Sequence, residues 1–510
     1  MIPAFQAPAA LSSPRLQGIR RGLEKESLRV LRDGTLAQTP HPAGLGSALA
    51  HPHITTDFSE SQLELITGVH ASVADCADEL LRIQAFTARN LGPEMMWVSS
   101  MPCCLPEDQA IALGQYGNSN VGRSKTVYRT GLSNRYGRRM QTISGIHYNW
   151  SLPGLSSADY FALIRNFRRH AFLLLYLFGA SPAVCSSFVE GRAHPLQPLG
   201  DHTMYLPHAT SLRMGRLGYQ SDAQASLAVS YNSLEGYARS LEEAMTRPYP
   251  AYEAIGLRDA QGQYLQLATT LLQIENEFYG TIRPKRVIRS GERPLHALRE
   301  RGVEYVEVRL MDLDPFEATG IGADTMRFLD VFLLHCLSTD SPPDSPQEIA
   351  ALGRNQHRTA ERGREPGLLL ERGDAQVSLV EWGSELVEAM APLADQMDAA
   401  HGGRDYATAI ARARSGLRDA ASLPSARVLQ AIEQQHGGSF VDFVRSRSQL
   451  TQDAMLQVAL SAQELADFDK QAADSLAMQR AIEAADSVPF DVYLERYLSP
   501  AGLVVKPAAA

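Results

Sequence analysis

The chain is poor in cysteine and lacks the spacing of cysteine-based sites. Its five cysteines are odd in number, and none of them forms a C-x₂-C pair. The sequence therefore indicates neither a disulfide framework nor a structural zinc site. We expect reduced, mostly buried thiols and a cytoplasmic protein, whose cysteines are Cys76, Cys103, Cys104, Cys185 and Cys336.

The chain also lacks an excess of positive charge. It has 57 acidic and 48 basic side chains and a formal net charge of −9. A nucleic-acid-binding protein normally presents a basic face, so nucleic acid is not an expected partner. Small-molecule substrates held by local clusters of charge fit this composition better.

Long hydrophobic runs are missing as well. The first residues show no basic segment followed by an apolar run, so we predict no secretory signal. Residues 171–188 carry no charge, but Gly179, Ser181 and Pro182 interrupt them. This stretch predicts a buried helix followed by a turn, and we expect no membrane partner.

Several common catalytic motifs are absent. No G-x-G-x-x-G follows a predicted strand, and neither H-E-x-x-H nor G-x-S-x-G occurs. Residues 117–126 superficially resemble a phosphate-binding loop, but the lysine does not directly follow the second glycine. This departure removes the geometry that cradles phosphates at a helix N-terminus.

The residues that are present predict an α+β fold. Apolar periodicity predicts helices over 73–91, from 157, over 223–246 and over 324–337, and strands over 141–150 and 303–310. Their irregular order favours an α+β arrangement over a regular βαβ array. We divide the chain into a catalytic core, 1–337, and a helix-rich part, 338–510, that packs on the core and is not clearly an independent domain.

Carboxylates occur at alternate positions in predicted extended segments. Glu24 and Glu26 point to one face if their segment is a strand, and Glu64 alternates with Leu63 and Leu65. Two acids on one face repel each other unless a cation lies between them. A solvated strand edge is the simpler alternative for this pattern.

Two further strands carry polar side chains on one face. His147 and Asn149 lie opposite an apolar row, and so do Glu307 and Arg309. A structural hydrogen bond or a plain ion pair would explain these residues. A metal ligand beside an anion-binding guanidinium would explain them equally well.

Basic residues concentrate in one short run. Four cations lie within seven residues: Arg283, Lys285, Arg286 and Arg289. Such a run in an acidic protein suggests a polyanion pocket, for which ATP is the common small ligand, although a solvated face is the alternative. With the separated carboxylates, it predicts an enzyme that uses a nucleotide and a divalent cation, Mg²⁺ with Mn²⁺ as the alternative.

These same segments resemble the proteobacterial type of the glutamate–cysteine ligase family. The matching pieces run in the family's order from about residue 18 to 316: GIRRGLEKESLRV, GLGSALAHPHITTDFSESQLELIT, MWVSSMPC, GQYGNSNVGRSKTVYRTGLSNRYG, MQTISGIHYNWSLP, FGASPAVCSSF, ATSLRMGRLGY, LQIENEFYGTIRPKRVIRSGE and GVEYVEVRLMDLDPF. One departure from the family's pattern is Cys103-Cys104 after Met-Pro.

The resemblance implies a fold and a reaction. The fold is a glutamine-synthetase-like, curved and mostly antiparallel sheet that forms a funnel with helices packed outside. The reaction joins the γ-carboxylate of L-glutamate to the amine of L-cysteine through a γ-glutamyl phosphate, with ATP as cosubstrate, as the first step of glutathione biosynthesis. We expect a monomer.

The resemblance also implies roles for particular residues. The active-site Mg²⁺ ions would be bound by Glu24, Glu26, Asp57, Glu64, His147 and Glu307. Glutamate and its activated phosphate would be bound by Arg213 and Arg309, which are the expected catalytic residues. The cysteine pocket would be lined by Phe58, Tyr128, Leu132, Gln141, Tyr219 and Tyr279.

Three other functions remain as alternatives. A related ligase could join glutamate to a different amine, and a Mg²⁺-dependent phosphohydrolase could use the same carboxylates. A non-catalytic binding protein would have the same residues without ATP turnover.

Overall fold

A computed structural model describes residues 11–218, 222–225, 227–289, 291–499 and 503. Its strands are β1 (Arg20–Val30), β2 (Ile54–Thr56), β3 (Gln62–Ile66), β4 (Met95–Met96), β5 (Ile146–Ser151), β6 (Ala183–Cys185), β7 (Gln197–Gly200), β8 (Thr203–Tyr205), β9 (Ile282–Lys285), β10 (Tyr305–Met311), β11 (Leu369–Arg372) and β12 (Ala375–Ser378).

The helices up to the end of the predicted core are α1 (Ser13–Gln17), α2 (Val73–Asn90), α3 (Asn120–Tyr136), α4 (Arg138–Gln141), α5 (Ser157–Phe178), α6 (Ser186–Val189), α7 (Asp222–Ala225), α8 (Leu234–Thr246), α9 (Pro250–Ile255), α10 (Pro294–Arg301) and α11 (Ala323–Ser338). Those that follow are α12 (Pro346–Arg362), α13 (Leu379–His401), α14 (Asp405–Arg418), α15 (Pro424–Gln435), α16 (Phe440–Gln457), α17 (Ala462–Ala485) and α18 (Phe490–Leu498).

One sheet organises the first two thirds of the chain. Its strands lie in the order β2-β3-β1-β5-β10-β9, and β4 pairs with the far end of β1. The neighbouring strands of this sheet are antiparallel. Strands distant in sequence therefore lie side by side, with β1 between β3 and β5, and β5 between β1 and β10.

The two faces of this sheet differ in chemistry. Alternate residues of β5 and β10, such as Tyr148, Trp150, Val306 and Val308, are fully buried. Helix α5 covers β9 and β10 on this face, and α2 packs against β1 and β3. The side chains of the intervening residues point to the opposite face of the sheet. These residues include the carboxylates predicted as ligands, which therefore lie on the face that the apolar packing does not cover.

A buried ion pair joins the sheet to a helix behind it. Arg21 of β1 and Asp330 of α11 lie 2.9 Å apart, and both side chains are inaccessible to solvent. The Tyr148 hydroxyl donates a 2.8 Å hydrogen bond to Asp330 as well. These bonds satisfy a charge pair that would otherwise be costly to bury, and they connect β1, β5 and α11.

The α+β prediction, with an antiparallel sheet and a helix-rich C-terminal part, is confirmed. The predicted helices at 73–91, from 157 and at 324–337 correspond to α2, α5 and α11. Residues 171–188 form the end of α5 and a turn, as predicted; β6 and the start of α6, which were not predicted, follow. None of the described helices combines the length and the apolar character that a membrane-spanning segment needs.

Two predicted elements were wrong in extent. The helix predicted over 223–246 is not continuous, because α8 begins only at Leu234, where Ser233 caps it by accepting a hydrogen bond from the Gly236 amide. The strand predicted over 141–150 begins at Ile146, since Gln141 ends the short helix α4. In both cases a local turn signal outweighs the apolar periodicity.

The helices after residue 338 share the core of the first part. Leu379, Trp382 and Val387 of α13 lie in the same buried apolar cluster as residues of α5 and α11. Phe86 of α2 stacks on Phe468 of α17, with ring centroids 4.7 Å apart. The division at 337/338 remains a proposal, in which the second part packs on the first through extensive apolar contact.

Candidate active site

The predicted carboxylates meet on the open face of the central strands. In the antiparallel register, Glu24 of β1 lies opposite His147 of β5, and Glu26 lies opposite Glu64 of β3. Asn149 of β5 lies opposite Glu307 of β10. Directly opposed residues on one face have neighbouring side chains, so four strands contribute to a single polar surface.

His147 lies at the centre of this surface. Its Nδ1 is 2.9 Å from a carboxylate oxygen of Glu24 and 3.9 Å from one of Glu307. Its Nε2 is 3.4 Å from Glu26. Ligand atoms of Glu24, Glu64 and His147 all lie within 4.8 Å of one another, which is close enough for one ion to contact them together.

The crowding of acids changes their proton affinities. Burial raises the pKa of Glu64 well above its ordinary value, and the charges of Glu24, Asp57 and Glu26 raise it further. Burial also raises the pKa of Glu26. The carboxylates are thus short of positive charge, a deficit that a bound cation would relieve.

Glu307 lies in a different electrostatic setting. Its carboxylate accepts a hydrogen bond of 3.2 Å from Lys285 Nζ and one of 3.1 Å from Arg309 Nη1. Burial by itself would raise the pKa of Glu307, but Lys285 and Arg309 hold that pKa well below the ordinary range. Burial by itself would also raise the pKa of Glu24, but the hydrogen bond with His147 and the charges of His147 and Lys285 together lower it.

Arg213 is held behind this surface. Its guanidinium is buried and donates a 2.8 Å hydrogen bond to the carbonyl of Arg309. Glu26 accepts a 2.7 Å hydrogen bond from the Gly145 amide in the same region. A Cβ at Gly145 would collide with the Arg213 guanidinium, so the close approach of these segments depends on glycine.

A cavity of about 420 Å³ opens onto the carboxylates. Glu24, Asp57, Glu64, His147 and Glu307 line it, while Glu26 does not. Five of the residues implied for the cysteine pocket also line it: Phe58, Tyr128, Leu132, Gln141 and Tyr279. Tyr219, the sixth, lies outside the described residues.

Elements from separate parts of the chain form the cavity wall. The Gln141 side-chain amide donates a 2.7 Å hydrogen bond to the Tyr279 hydroxyl, which joins the end of α4 to the segment before β9. Tyr128 and Leu132 lie one turn apart on α3. Arg129 of the same helix donates a hydrogen bond to the carbonyl of Asp57, so α3 supports the loop after β2.

The predicted basic run divides in two. Arg283 and Lys285 line the cavity from β9, together with Arg309 of β10. Arg286 and Arg289 do not line it. Arg286 donates a 2.9 Å hydrogen bond to the Arg301 carbonyl, and Arg289 contacts Glu300 at 3.4 Å. The strand ends at Lys285, and beyond it side chains no longer point alternately to the two faces of the sheet. The side chains of Arg286 and Arg289 therefore contact α10 instead.

Two cations of the cavity were missed in the sequence. Lys125 and Arg129 lie one turn apart on α3, and both line the cavity. Their charges lie 5.2 Å and 4.5 Å from the centre of the Tyr116 ring. Residues 117–126, which resemble a phosphate-binding loop only superficially, could have predicted them. Ser119 caps a helix there, and the i, i+4 spacing places both cations on one face of that helix.

Comparisons with known proteins agree with this architecture. Residues 7–359 match the model of the family described as "Glutamate-cysteine ligase". A glutamate–cysteine ligase from Janthinobacterium sp. (strain Marseille) is 49% identical over 496 residues, which cover 94% of each chain. One from Alcanivorax borkumensis is 46% identical over 504 residues, covering 94% of this chain and 96% of the relative.

A solved structure extends the similarity to three dimensions. The crystal structure of a glutamate–cysteine ligase from Francisella tularensis, in complex with AMP, superposes with a TM-score of 0.90 at 38% identity. The match covers 94% of this chain and 97% of that one. The family match spans more than half of the sequence, and the relatives match nearly all of it. This chain therefore belongs to the glutamate–cysteine ligase family.

Proposed function

We propose that this enzyme joins L-glutamate to L-cysteine at the expense of ATP, in the first step of glutathione biosynthesis. The glutamate γ-carboxylate attacks the γ-phosphorus of ATP, giving γ-glutamyl phosphate and ADP. The cysteine amine then attacks the acyl carbon, loses a proton, and releases phosphate. The observation that carries the proposal is one cavity lined by four of the predicted ligand carboxylates, an imidazole and several guanidinium groups.

The donor set fits a hard divalent cation. It consists of carboxylate oxygens and one imidazole nitrogen, and the crowding of these acids already raises the pKa of Glu64. Oxygen-rich sites suit Mg²⁺, and imidazole is compatible with Mn²⁺. We assign the ligand roles to Glu24, Glu26, Asp57, Glu64, His147 and Glu307. When bound, the cation neutralises the phosphate charge of ATP and helps to orient it.

Arg309 and Arg213 are proposed to bind glutamate and its activated phosphate. Arg309 lies beside the cavity with Glu307 on its guanidinium, so its position is held by an ion pair. Arg213 donates to the backbone of Arg309 and supports it from behind. A guanidinium held in this way can bind a carboxylate through two parallel hydrogen bonds with little loss of side-chain freedom.

The remaining wall is proposed to bind the other two substrates. Aromatic, aliphatic and amide side chains bind the cysteine: Phe58, Tyr128, Leu132, Gln141, Tyr219 and Tyr279. Arg283, Lys285, Lys125 and Arg129 supply positive charge for the nucleotide phosphates. This assignment replaces Arg286 and Arg289, whose side chains contact α10.

The experiment that tests the reaction is a substrate panel. The purified protein is incubated with ATP, Mg²⁺, glutamate and one amine at a time, and ADP and the peptide product are quantified. We expect turnover with cysteine to exceed that with alanine, serine or 2-aminobutyrate. Preference for another amine would establish a related ligase. Phosphate release without either amino acid would establish a phosphohydrolase, and no ATP turnover in any mixture would leave a binding protein.

We also propose that the protein is a cytoplasmic monomer. The free cysteines of the chain support a reducing compartment. Light scattering coupled to size-exclusion chromatography tests the oligomeric state, and a mass near 55.8 kDa is the expected result. A stable mass of twice that value would contradict it.

A further inference from the structure

Two cysteine side chains from distant segments face each other at the edge of a surface cleft. The sulfur atoms of Cys104 and Cys185 are 3.8 Å apart, although the residues are separated by 81 positions. Both line a cleft of about 970 Å³, which lies apart from the cavity of the carboxylates. The proposed reaction uses neither thiol, because the cysteine that takes part in it is the free amino acid substrate.

The backbone holds both residues in place. The Cys104 amide donates to the Gly34 carbonyl, and Cys185 ends β6, where it pairs with Thr203 of β8. Ser187 connects the two segments, because its hydroxyl accepts a 3.1 Å hydrogen bond from the Leu105 amide and donates one of 3.2 Å to Cys185 Sγ. These contacts hold the two segments side by side, with the sulfur atoms 3.8 Å apart.

The two thiols differ in accessibility and in acidity. Cys104 is partly exposed, whereas Cys185 is 2% exposed. The hydrogen bond from the Cys104 thiol lowers the pKa of Cys185 to about 6; burial opposes this shift, and Ser187 adds to it. The same hydrogen bond, together with burial, raises the pKa of Cys104. Cys103, directly beside Cys104, is fully buried and does not line the cleft.

We propose that Cys104 and Cys185 form a thiol–disulfide exchange site that reacts with low-molecular-weight disulfides entering this cleft. A cleft of this volume admits a disulfide of peptide size. The Cys104 thiol passes its proton to Cys185 across their hydrogen bond, and the partly exposed Cys104 sulfur attacks the disulfide. A mixed disulfide forms, and the small thiolate that leaves takes up the proton. Cys185 then attacks the Cys104 sulfur, closes the intramolecular disulfide and releases the second thiol.

The step balances without another reactant. The protein dithiol loses two electrons and two protons, and the small disulfide gains them to become two thiols. An excess of small thiol reverses both exchanges and restores the dithiol. The oxidation state of the Cys104–Cys185 pair therefore follows the ratio of small disulfide to small thiol around the protein. It does so whether or not the ligase reaction proceeds.

The test uses the full-length protein and glutathione disulfide as the probe. After incubation, free thiols are alkylated under denaturing conditions and the protein is analysed by intact mass and peptide mapping. We expect a Cys104–Cys185 crosslink that leaves three of the five cysteines alkylated, and full recovery of five after dithiothreitol. Retention of all five thiols, or a crosslink between other cysteines, would overturn the proposal.

Single variants test the order of the two exchanges. Cys185→Ser should stop at a stable glutathionyl adduct on Cys104, whereas Cys104→Ser should react at least tenfold more slowly than the wild type. Cys103→Ala is the matched control and should form the same crosslink as the wild type. If Cys185→Ser carries no adduct while its circular dichroism spectrum is native, Cys104 is not the entry point and the proposal fails.

Discussion

At the scale of single residues, the site depends on how buried charges are balanced. Glu307 is 1% exposed and contacts two cations, Lys285 and Arg309. Removing the Glu307 charge takes a buried partner away from both cations, of which Arg309 is the more buried. This loss costs more than an exposed ion pair contributes. The same change removes one proposed metal ligand.

Glu307→Gln should lower kcat by about a hundredfold or more while the protein stays folded, because it weakens both the proposed metal site and the position of Arg309. The measurement is steady-state kinetics at several Mg²⁺ concentrations, with circular dichroism as the folding check. Glu304→Gln, three residues away and about half exposed, is the control and should retain near-normal rates. A Glu307→Gln enzyme with normal turnover would remove this residue from the site.

Glu64 gives a pH-dependent prediction of stability. Its pKa is raised in the folded state, so its contribution to the free energy of unfolding is present at low pH and is lost as the pH rises through that raised pKa. At pH 8 and without metal, Glu64→Gln should therefore be more stable than the wild type. Mg²⁺ should raise the melting temperature of the wild type and leave that of the variant nearly unchanged.

Thermal unfolding between pH 5 and pH 8, with EDTA or with Mg²⁺, measures both effects for Glu64. Glu388→Gln, which alters an exposed ion pair with Arg414, is the control and should keep the full Mg²⁺ response. An equal response to Mg²⁺ in Glu64→Gln and the wild type would exclude Glu64 as a ligand.

At the scale of elements, the position of Arg213 depends on how closely the segment before β5 approaches it. Gly145 precedes β5, and any side chain there would meet the Arg213 guanidinium. The backbone amide of Gly145 also donates to Glu26, so the segment cannot move away without losing that hydrogen bond. A single methyl group at this position should therefore displace Arg213.

Gly145→Ala should raise the KM for glutamate on the order of tenfold to a hundredfold, with a smaller effect on the KM for cysteine. Steady-state kinetics with each substrate varied in turn will measure the two constants. Gly353→Ala, in the interior of α12 with open space around the new methyl group, is the control and should leave both unchanged. Equal changes in both constants would place Arg213 outside the glutamate site.

At the scale of the whole molecule, the C-terminal helices complete the core. Apolar residues of α13 and α14 lie in one cluster with the sheet and its covering helices, and Tyr493 and Tyr497 of α18 line the cavity. A fragment ending at residue 337 would expose the apolar faces of α5 and α11. Exposed apolar area of that extent is not stable in a monomeric protein.

The fragment 1–337 should therefore lack a cooperative thermal transition and bind a hydrophobic dye, whereas the full chain unfolds cooperatively. Differential scanning calorimetry and dye fluorescence measure these properties. Co-expression of 338–510 in a separate chain should restore solubility if the interface alone is missing. A soluble 1–337 fragment with a sharp transition would show that it is an independent domain.

The sequence alone determined what depends on short-range periodicity and on recognisable motifs. The alternation along β1, β5 and β10 predicted which side chains share a face, because neighbouring residues of a strand point to opposite sides. The nine motifs predicted the family, which the comparisons confirm. The apolar spacing of α2 and α5 predicted those helices closely.

Which of these faces meet depends on long-range packing, which the sequence pattern does not reveal. The sheet order places β1 beside β5 and β5 beside β10, and that order depends on contacts between residues more than a hundred positions apart. It brought Lys125 and Arg129 to the cavity, turned Arg286 and Arg289 to α10, and placed Cys104 against Cys185. Local backbone geometry sets the direction of a side chain, but long-range packing selects its partner.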